Sequence, residues 1–320
     1  MLSSWFSSTE RGFYWGILNV SLNIGGFISP VLVGSAASAF GWRFGMIGPA
    51  SIAAICGICA YLAIRDTPAD AGLVRRSESD NLNSITHDGT SNKFTAAVAT
   101  FRRQLIDGVL TVPPVWNLAV GYFFVYIIRQ ALTSWTIFYF LDAKGVASVA
   151  EAALRVSGLE LGGLIGSVSS GWLSDKLIQS NSSAGAVGQR VKVAILYLGI
   201  TAFMLIAFYF VPVSTALLPF QWLVFAALGA GLYGPQLLIG LSGAECVAPS
   251  CAGTSNGFLG TAAYTGAALA GLPLTFVVRH LGWNAFFGVL LACCVSTAAV
   301  IMPLTTTRSF EQDHPTPRAS

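Results

Sequence analysis

GYFFVYIIRQALTSWTIFYFL, residues 121–141, carries a single charge, Arg129, near its middle. About 20 residues of helix, rising 1.5 Å each, cross the hydrocarbon core of a bilayer, and a run this apolar reads as a membrane span. Backbone N–H and C=O groups in lipid find no water, so the segment satisfies them internally as an α-helix. An arginine inside such a span is costly and marks a functional position by default.

The rest of the chain repeats this pattern. Of its 320 residues 54% are hydrophobic and 10% are charged, against about 25% charged in soluble domains. Eight spans are read, at about 13–39, 43–64, 114–141, 150–173, 192–212, 217–245, 252–278 and 283–304. The expected fold is an all-α multi-pass membrane protein. Met1 to Arg11 is polar and lacks an apolar h-region, so no cleavable signal peptide is expected there. Pro30 and Gly234-Pro235 are expected to bend their helices.

Charge placement gives orientation. Arg11, then Arg65, Arg75, Arg76, Lys93, Arg102 and Arg103, then Lys176, Arg190 and Lys192, then Arg308 and Arg318 fall in alternate loops. Arg43, Lys144 and Arg279 fall on the other side. The positive-rich side is expected to be cytoplasmic. Residues 65–113, rich in Ser, Asn and Asp, read as a linker dividing two spans from six. Residues 305–320 read as a cytoplasmic tail. Asn181-Ser182-Ser183 matches a glycosylation acceptor but falls in an expected cytoplasmic loop.

Tyr122, Tyr126, Arg129 and Thr133 are spaced four, three and four apart and share one helix face. A guanidinium there presents a planar fork of donors suited to phosphate or carboxylate. The competing reading is a buried Arg–Glu pair that fastens two helices. Glu160 is the second mid-span charge, read either as a counter-ion that an anionic substrate displaces or as a permanent structural partner. Gln236 and Tyr264 are polar positions in apolar helices and are read as candidate cavity lining. Asn19 and Asn23 fit either a cavity or interhelical hydrogen bonds. Glu151 and Arg155 read as a solvated i, i+4 pair. Glu245 reads as a loop anchor, and GWLSDK at 171–176 as a tight turn with an Asp175–Lys176 pair. Cys56, Cys59, Cys293 and Cys294 read as buried small hydrophobes. No nucleophile triad, paired-carboxylate site or HExxH spacing appears, so no enzyme, cofactor or metal is expected; nor does the charge pattern point to nucleic acid.

WFSSTERGFYWGILNVSLNIGG (5–26), AIRDTPADAGL (63–73), FVYIIRQALTSW (124–135), LELGGLIGSVSSGWLSDKL (159–177) and GLYGPQLLIGLSGAECVAPSCAGTSNGFLGTAAYTGAALAGLPL (231–274) resemble the organophosphate:phosphate antiporters of the major facilitator superfamily. That family includes glycerol-3-phosphate and hexose-phosphate transporters, the microsomal glucose-6-phosphate translocase and a bacterial hexose-phosphate sensor. The resemblance implies twelve helices in two bundles, of which these spans match helices 5 to 12. Residues 1–64 are then two helices of an N-terminal bundle whose first four are not in the chain, and 114–304 a complete C-terminal bundle. Arg129 matches the family's phosphate-binding arginine on helix 7, and Glu160 a glutamate on helix 8. Leu22 and Ser134 stand where the glycerol-3-phosphate branch has histidine and aspartate, so a hexose phosphate is preferred. The implied activity is exchange of hexose-6-phosphate, such as glucose-6-phosphate, for inorganic phosphate by alternating access. The alternatives are a sugar-phosphate receptor with a signalling partner, or an inactive fragment. Plasma membrane, endoplasmic reticulum and plastid envelope are all compatible with the sequence.

Overall fold

The computed structural model describes residues 6, 10–64, 93–146, 149–180, 185–212 and 217–314. Among these the chain is helical, without a strand. In order the helices are α1 (Arg11–Phe40), α2 (Trp42–Ala63), α3 (Lys93–Leu105), α4 (Pro113–Asp142), α5 (Val149–Ser180), α6 (Ala186–Phe210), α7 (Leu218–Glu245), α8 (Ala252–Leu269), α9 (Leu272–Ile301) and the single turn α10 (Phe310–Asp313). Five helical stretches of the described residues are long and apolar enough to cross a membrane: α2, α4, α6, α7 and the run Pro249–Asp313, which contains two expected spans. α1 and α5 have the length to cross, at 30 and 32 residues.

The last two spans differ from the expected 252–278 and 283–304. α8 ends at Leu269, and a short turn follows, with the Ala270 and Gly271 amides bonded to Ala267 and Ala268 carbonyls at 3.2 and 3.1 Å. Pro273 lies in the first turn of α9, where its missing N–H costs nothing. The Ala270 carbonyl released by the turn accepts the Trp135 indole N–H at 2.8 Å. α9 is itself two helices joined at Gly282, whose φ of 77° favours glycine. The second half of the expected linker is also structured, as α3 and a π-turn over Ile106–Leu110. Its first part, 65–92, lies outside the described residues, as does the acceptor motif at 181–183.

α7 is the centre of the bundle, with α4, α5 and α6 packed around it; α8 packs on α4 and α7, and α9 on α4 and α6. Small residues make this possible. Lipid tails are as apolar as leucine, so helices associate in membranes through close packing rather than through burial from water. Gly158, Gly162 and Gly166 of α5 lie directly on the α7 backbone at Trp222, Ala226 and Ala230. A Cβ at Gly162 would overlap the Ala226 carbonyl, so Gly162→Val is expected to destabilise the bundle by about 1–3 kcal/mol. The check is thermal unfolding in detergent beside Gly199→Val, whose Cβ meets nothing within 4 Å. Equal melting points would contradict the packing argument.

α1 lies along α5, and α2 packs on α1. Gly12 and Gly171 permit the close approach of α1 and α5: a Cβ at Gly171 would overlap the Gly12 carbonyl. α2 has one buried residue, Gly45. This corrects the reading of the cysteines. Cys293 and Cys294 are buried, whereas Cys56 and Cys59 are exposed, because α2 makes so few contacts that its sides stay open.

Candidate functional site

The face of α4 expected from spacing is present and is built from stacked rings. Tyr122 and Tyr126 meet edge to face with centroids 4.9 Å apart, and Tyr126 meets Tyr264 of α8 at 5.6 Å. Tyr126 is buried, while Tyr264 is 69% exposed, its ring standing at the open end of the ladder. Offset and edge-on aromatic pairs hold each ring in place through their quadrupoles. One turn further along α4, Arg129 is half-buried between two tyrosines. Its Cζ lies 5.4 Å from the Tyr126 ring centroid and 5.4 Å from that of Tyr233 on α7. Cation–π contacts position a guanidinium without consuming its in-plane N–H donors. Thr133 is exposed, and its hydroxyl donates to the Arg129 carbonyl at 2.9 Å, leaving only its lone pairs for another partner.

Glu160 of α5 does not pair directly with Arg129. The Tyr233 hydroxyl stands between them, sharing its hydrogen bond between Oε1 and Oε2 of Glu160 at 3.0 Å each. Tyr233 therefore joins the two mid-span charges, its ring against the cation and its hydroxyl on the carboxylate. The sequence reading missed it, although Tyr233 lies three residues before Gln236 in YGPQ (233–236), which places both on one face of α7. Gln236 is 2% exposed and its Oε1 has no partner among the described residues. Gly240, one turn on, meets the Tyr122 hydroxyl, so Gln236 sits between the Arg129–Tyr233 level and the Tyr122 level.

α1 completes the site. Asn23 is buried, its Nδ2 donates to the Asn19 carbonyl at 3.4 Å, and its Oδ1 has no partner among the described residues. That oxygen faces Gly163, the same glycine that accommodates the Tyr233 ring. Gly26 of α1 approaches the Glu160 carboxylate. Arg129, Tyr233, Glu160 and Asn23 thus meet where α1 contacts the helices around α7. The cluster brings together a cation and a carboxylate near two amide oxygens, of Asn23 and Gln236, that have no partner among the described residues.

A second charged cluster closes one end of the same contact, and the sequence reading did not assemble it. Arg190 is fully buried. Its Nε and Nη2 donate to the two oxygens of Glu245 at 2.7 and 3.0 Å, and Nη1 donates to Ser174 Oγ and Asp175 Oδ1, both at 2.9 Å. Asp175 also accepts the Gly12 and Phe13 backbone N–H groups of α1 at 3.1 and 2.7 Å. These are first-turn amides, free for an anion because no preceding carbonyl reaches them. Asp175 therefore pairs with Arg190 rather than with Lys176, which lies over the Trp172 ring at 4.8 Å. GWLSDK is helical rather than a turn, because α5 continues to Ser180. The loop anchor read at Glu245 is a buried carboxylate held by both fork nitrogens of Arg190. Arg155 needs the same kind of correction. It is 1% exposed, bonded to Glu151 at 2.8 Å and to Gln221 Oε1 of α7 at 2.7 Å, so it is a buried helix fastener, not a solvated pair. Each carboxylate was visible in the sequence at a span end; what was missing was which helix end stood beside it.

Comparison with known proteins agrees with this architecture. The profile of the Major Facilitator Superfamily matches residues 1–271. A probable hexose phosphate transport protein of Chlamydia trachomatis is 34% identical over 95% of this chain and 65% of its own length. The membrane sensor protein UhpC of Escherichia coli is 34% identical over 95% of this chain and 66% of its own. A glycerol-3-phosphate transporter of Bacillus subtilis is 29% identical over 98% of this chain and 67% of its own. The chain thus spans about two thirds of the length of these relatives. Its apolar helices, its helical bundle and these matches make it an integral membrane protein that belongs to the major facilitator superfamily, in the organophosphate:phosphate antiporter family.

Proposed function

We propose that this chain binds a hexose-6-phosphate at Arg129 and serves its exchange for inorganic phosphate by alternating access. The observation that carries the reading is Arg129 held between Tyr126 and Tyr233, with no carboxylate bonded directly to it among the described residues, beside the α1 contact. A phosphate dianion takes the guanidinium fork, and charge-assisted pairing of this kind is the strong form of hydrogen bond. Gln236 and Asn23 offer their unpartnered oxygens to sugar hydroxyls, and Tyr122, Thr133 and Tyr264 line the approach. Glu160 is the counter-charge, acting through Tyr233: phosphate arriving at Arg129 weakens the Arg129–Tyr233–Glu160 chain that joins α4, α7 and α5. Residues 114–304 then form a six-helix bundle and 1–64 part of a second, and the two rock about the site while the Arg190 cluster opens and closes one end.

The first test is exchange of labelled phosphate by reconstituted proteoliposomes loaded with glucose-6-phosphate. Exchange in the absence of any other protein supports transport. Binding without exchange supports the receptor reading, which the similarity to a membrane sensor favours, and a signalling partner is then required. Absence of binding to both phosphates overturns the site.

Tyr233→Phe isolates the hydroxyl. The ring stays against Arg129, but Glu160 loses its donor, a loss of about 1.5–3 kcal/mol for a hydrogen bond to a charged group. The freed Glu160 is expected to turn to Arg129 directly and compete with phosphate, raising the Kd about tenfold. An unchanged Kd in isothermal titration would remove Tyr233 from the coupling chain.

A further inference from the structure

At the membrane end opposite the Arg190 cluster, two cavities share a wall. One is an apolar groove of about 290 Å³ between α6 and α9, lined by Leu205, Ile206, Phe287, Gly288 and Leu291. The other is a pocket of about 490 Å³ containing Lys144, Tyr139 and Trp283. Tyr209, Phe210 and Asn284 line both, and the Tyr209 hydroxyl donates to Asn284 Oδ1 at 2.9 Å along the shared wall. The groove lies on the outer surface, where Ile206 and Phe210 are exposed at 44% and 74%. It exists because Gly288 leaves open space, with no atom within 4 Å of where a Cβ would stand. The pocket exists because the chain turns at Gly282 and carries Leu281 and Trp283 around it.

The cation in the pocket makes no ion pair among the described residues. The Lys144 ammonium donates to the Tyr209 and Val211 carbonyls at 3.3 and 3.4 Å and lies 5.7 Å from the Tyr139 ring centroid. It has no carboxylate partner among the described residues. The neighbouring Asp142 accepts the Trp283 indole N–H at 2.8 Å instead. Arg279 adds positive charge on the same side of the membrane, two residues before the pocket wall at Leu281.

We propose that this joined cleft is a binding site for an anionic phospholipid, with one acyl chain in the α6–α9 groove and the headgroup phosphate at Lys144. An apolar groove that opens at the level of the helix ends onto an ammonium bonded only to carbonyls matches the two-part chemistry of a lipid. Basic pockets between transmembrane helices hold lipid headgroups on the same principle. Acyl chains gain little on leaving bulk lipid for a groove, so the selectivity comes from the headgroup charge, and the groove sets where the lipid sits. The site is separate from Arg129 and does not depend on transport.

Native mass spectrometry of the purified chain, equilibrated with equimolar phosphatidylglycerol and phosphatidylcholine, tests it. The unaltered chain is expected to retain phosphatidylglycerol preferentially. Lys144→Gln is expected to reduce that preference about fivefold, the effect of one basic side chain on an anionic lipid, while Lys144→Arg keeps it. Gly288→Phe projects a ring into the groove from a position where a Cβ meets no atom within 4 Å, and is expected to abolish retention of both lipids, with the melting temperature as the fold control. An unaltered phosphatidylglycerol preference in Lys144→Gln overturns the headgroup assignment. Full retention in Gly288→Phe, with displacement by inorganic phosphate, identifies a free-anion site and overturns the lipid.

Discussion

Arg129→Ala is expected to weaken binding of inorganic phosphate and glucose-6-phosphate by about 100-fold while leaving the helical bundle intact. A guanidinium gripping phosphate through two N–H groups makes two charge-assisted bonds worth roughly 1.5–3 kcal/mol each, and since about 2.7 kcal/mol is a hundredfold in Kd, 100-fold is the lower end of the expected loss. The fold is expected to survive, because Arg129 is half-buried and, among the described residues, bonded to no carboxylate, so its removal leaves no bare buried charge at the direct contact. Arg129→Lys separates charge from geometry. Lysine keeps the positive charge but presents a point rather than a fork, and loses planar stacking on Tyr126 and Tyr233. About tenfold weaker binding is expected there. Titration calorimetry on both variants, with circular dichroism as the fold control, checks the pair. Wild-type affinity in Arg129→Ala places phosphate elsewhere.

The second large effect falls on stability. Arg190→Ala is expected to cost about 3–5 kcal/mol, the range for removing one partner from a buried ion pair. The reason lies in what remains: Glu245 and Asp175, 5% and 4% exposed, both lose their cation. Asp175 keeps only the Gly12 and Phe13 amides, and Glu245 keeps none of its two Arg190 bonds. The combined variant Arg190→Leu, Glu245→Gln, Asp175→Asn is expected to recover most of the loss, since neutral groups in the same places carry no uncompensated charge. Guanidinium or thermal unfolding in one detergent compares the three proteins. If the single variant is as stable as the parent, the cluster contributes only to the contact with α1. If the combined variant is no better than the single one, the hydrogen-bond geometry and not the charge balance governs this end of the bundle.

The all-helical membrane character of the chain was legible in the sequence, because lipid forces every backbone polar group into local bonds and turns hydropathy directly into helix. Arg129 was legible for the same reason: a charge in the middle of an apolar run stands out whatever surrounds it. The ladder Tyr122, Tyr126, Arg129 followed from helical periodicity. The break at Gly282 falls at the boundary expected between 278 and 283, beside Arg279 and His280. The helix end at Leu269 was not legible, since it lies in sequence apolar enough to continue, and the turn is held by a distant donor, the Trp135 indole.

Other features depended on which helices become neighbours. Tyr233 looked like one more aromatic in an apolar helix until α7 brought it between Arg129 and Glu160. Arg190 looked like an orientation charge, and Arg155 like a solvated surface arginine. Burial and partners come from α5, α6 and α7 packing through glycines whose contacts span many tens of residues in sequence. The sequence by itself determined the membrane, the helices, the family and the cation at the centre, because each is set by local composition or by a continuous motif. Only the tertiary structure decided which carboxylate meets which arginine, and that a tyrosine stands between the two mid-span charges, because those pairings are set by close approach between helices and not by spacing along them.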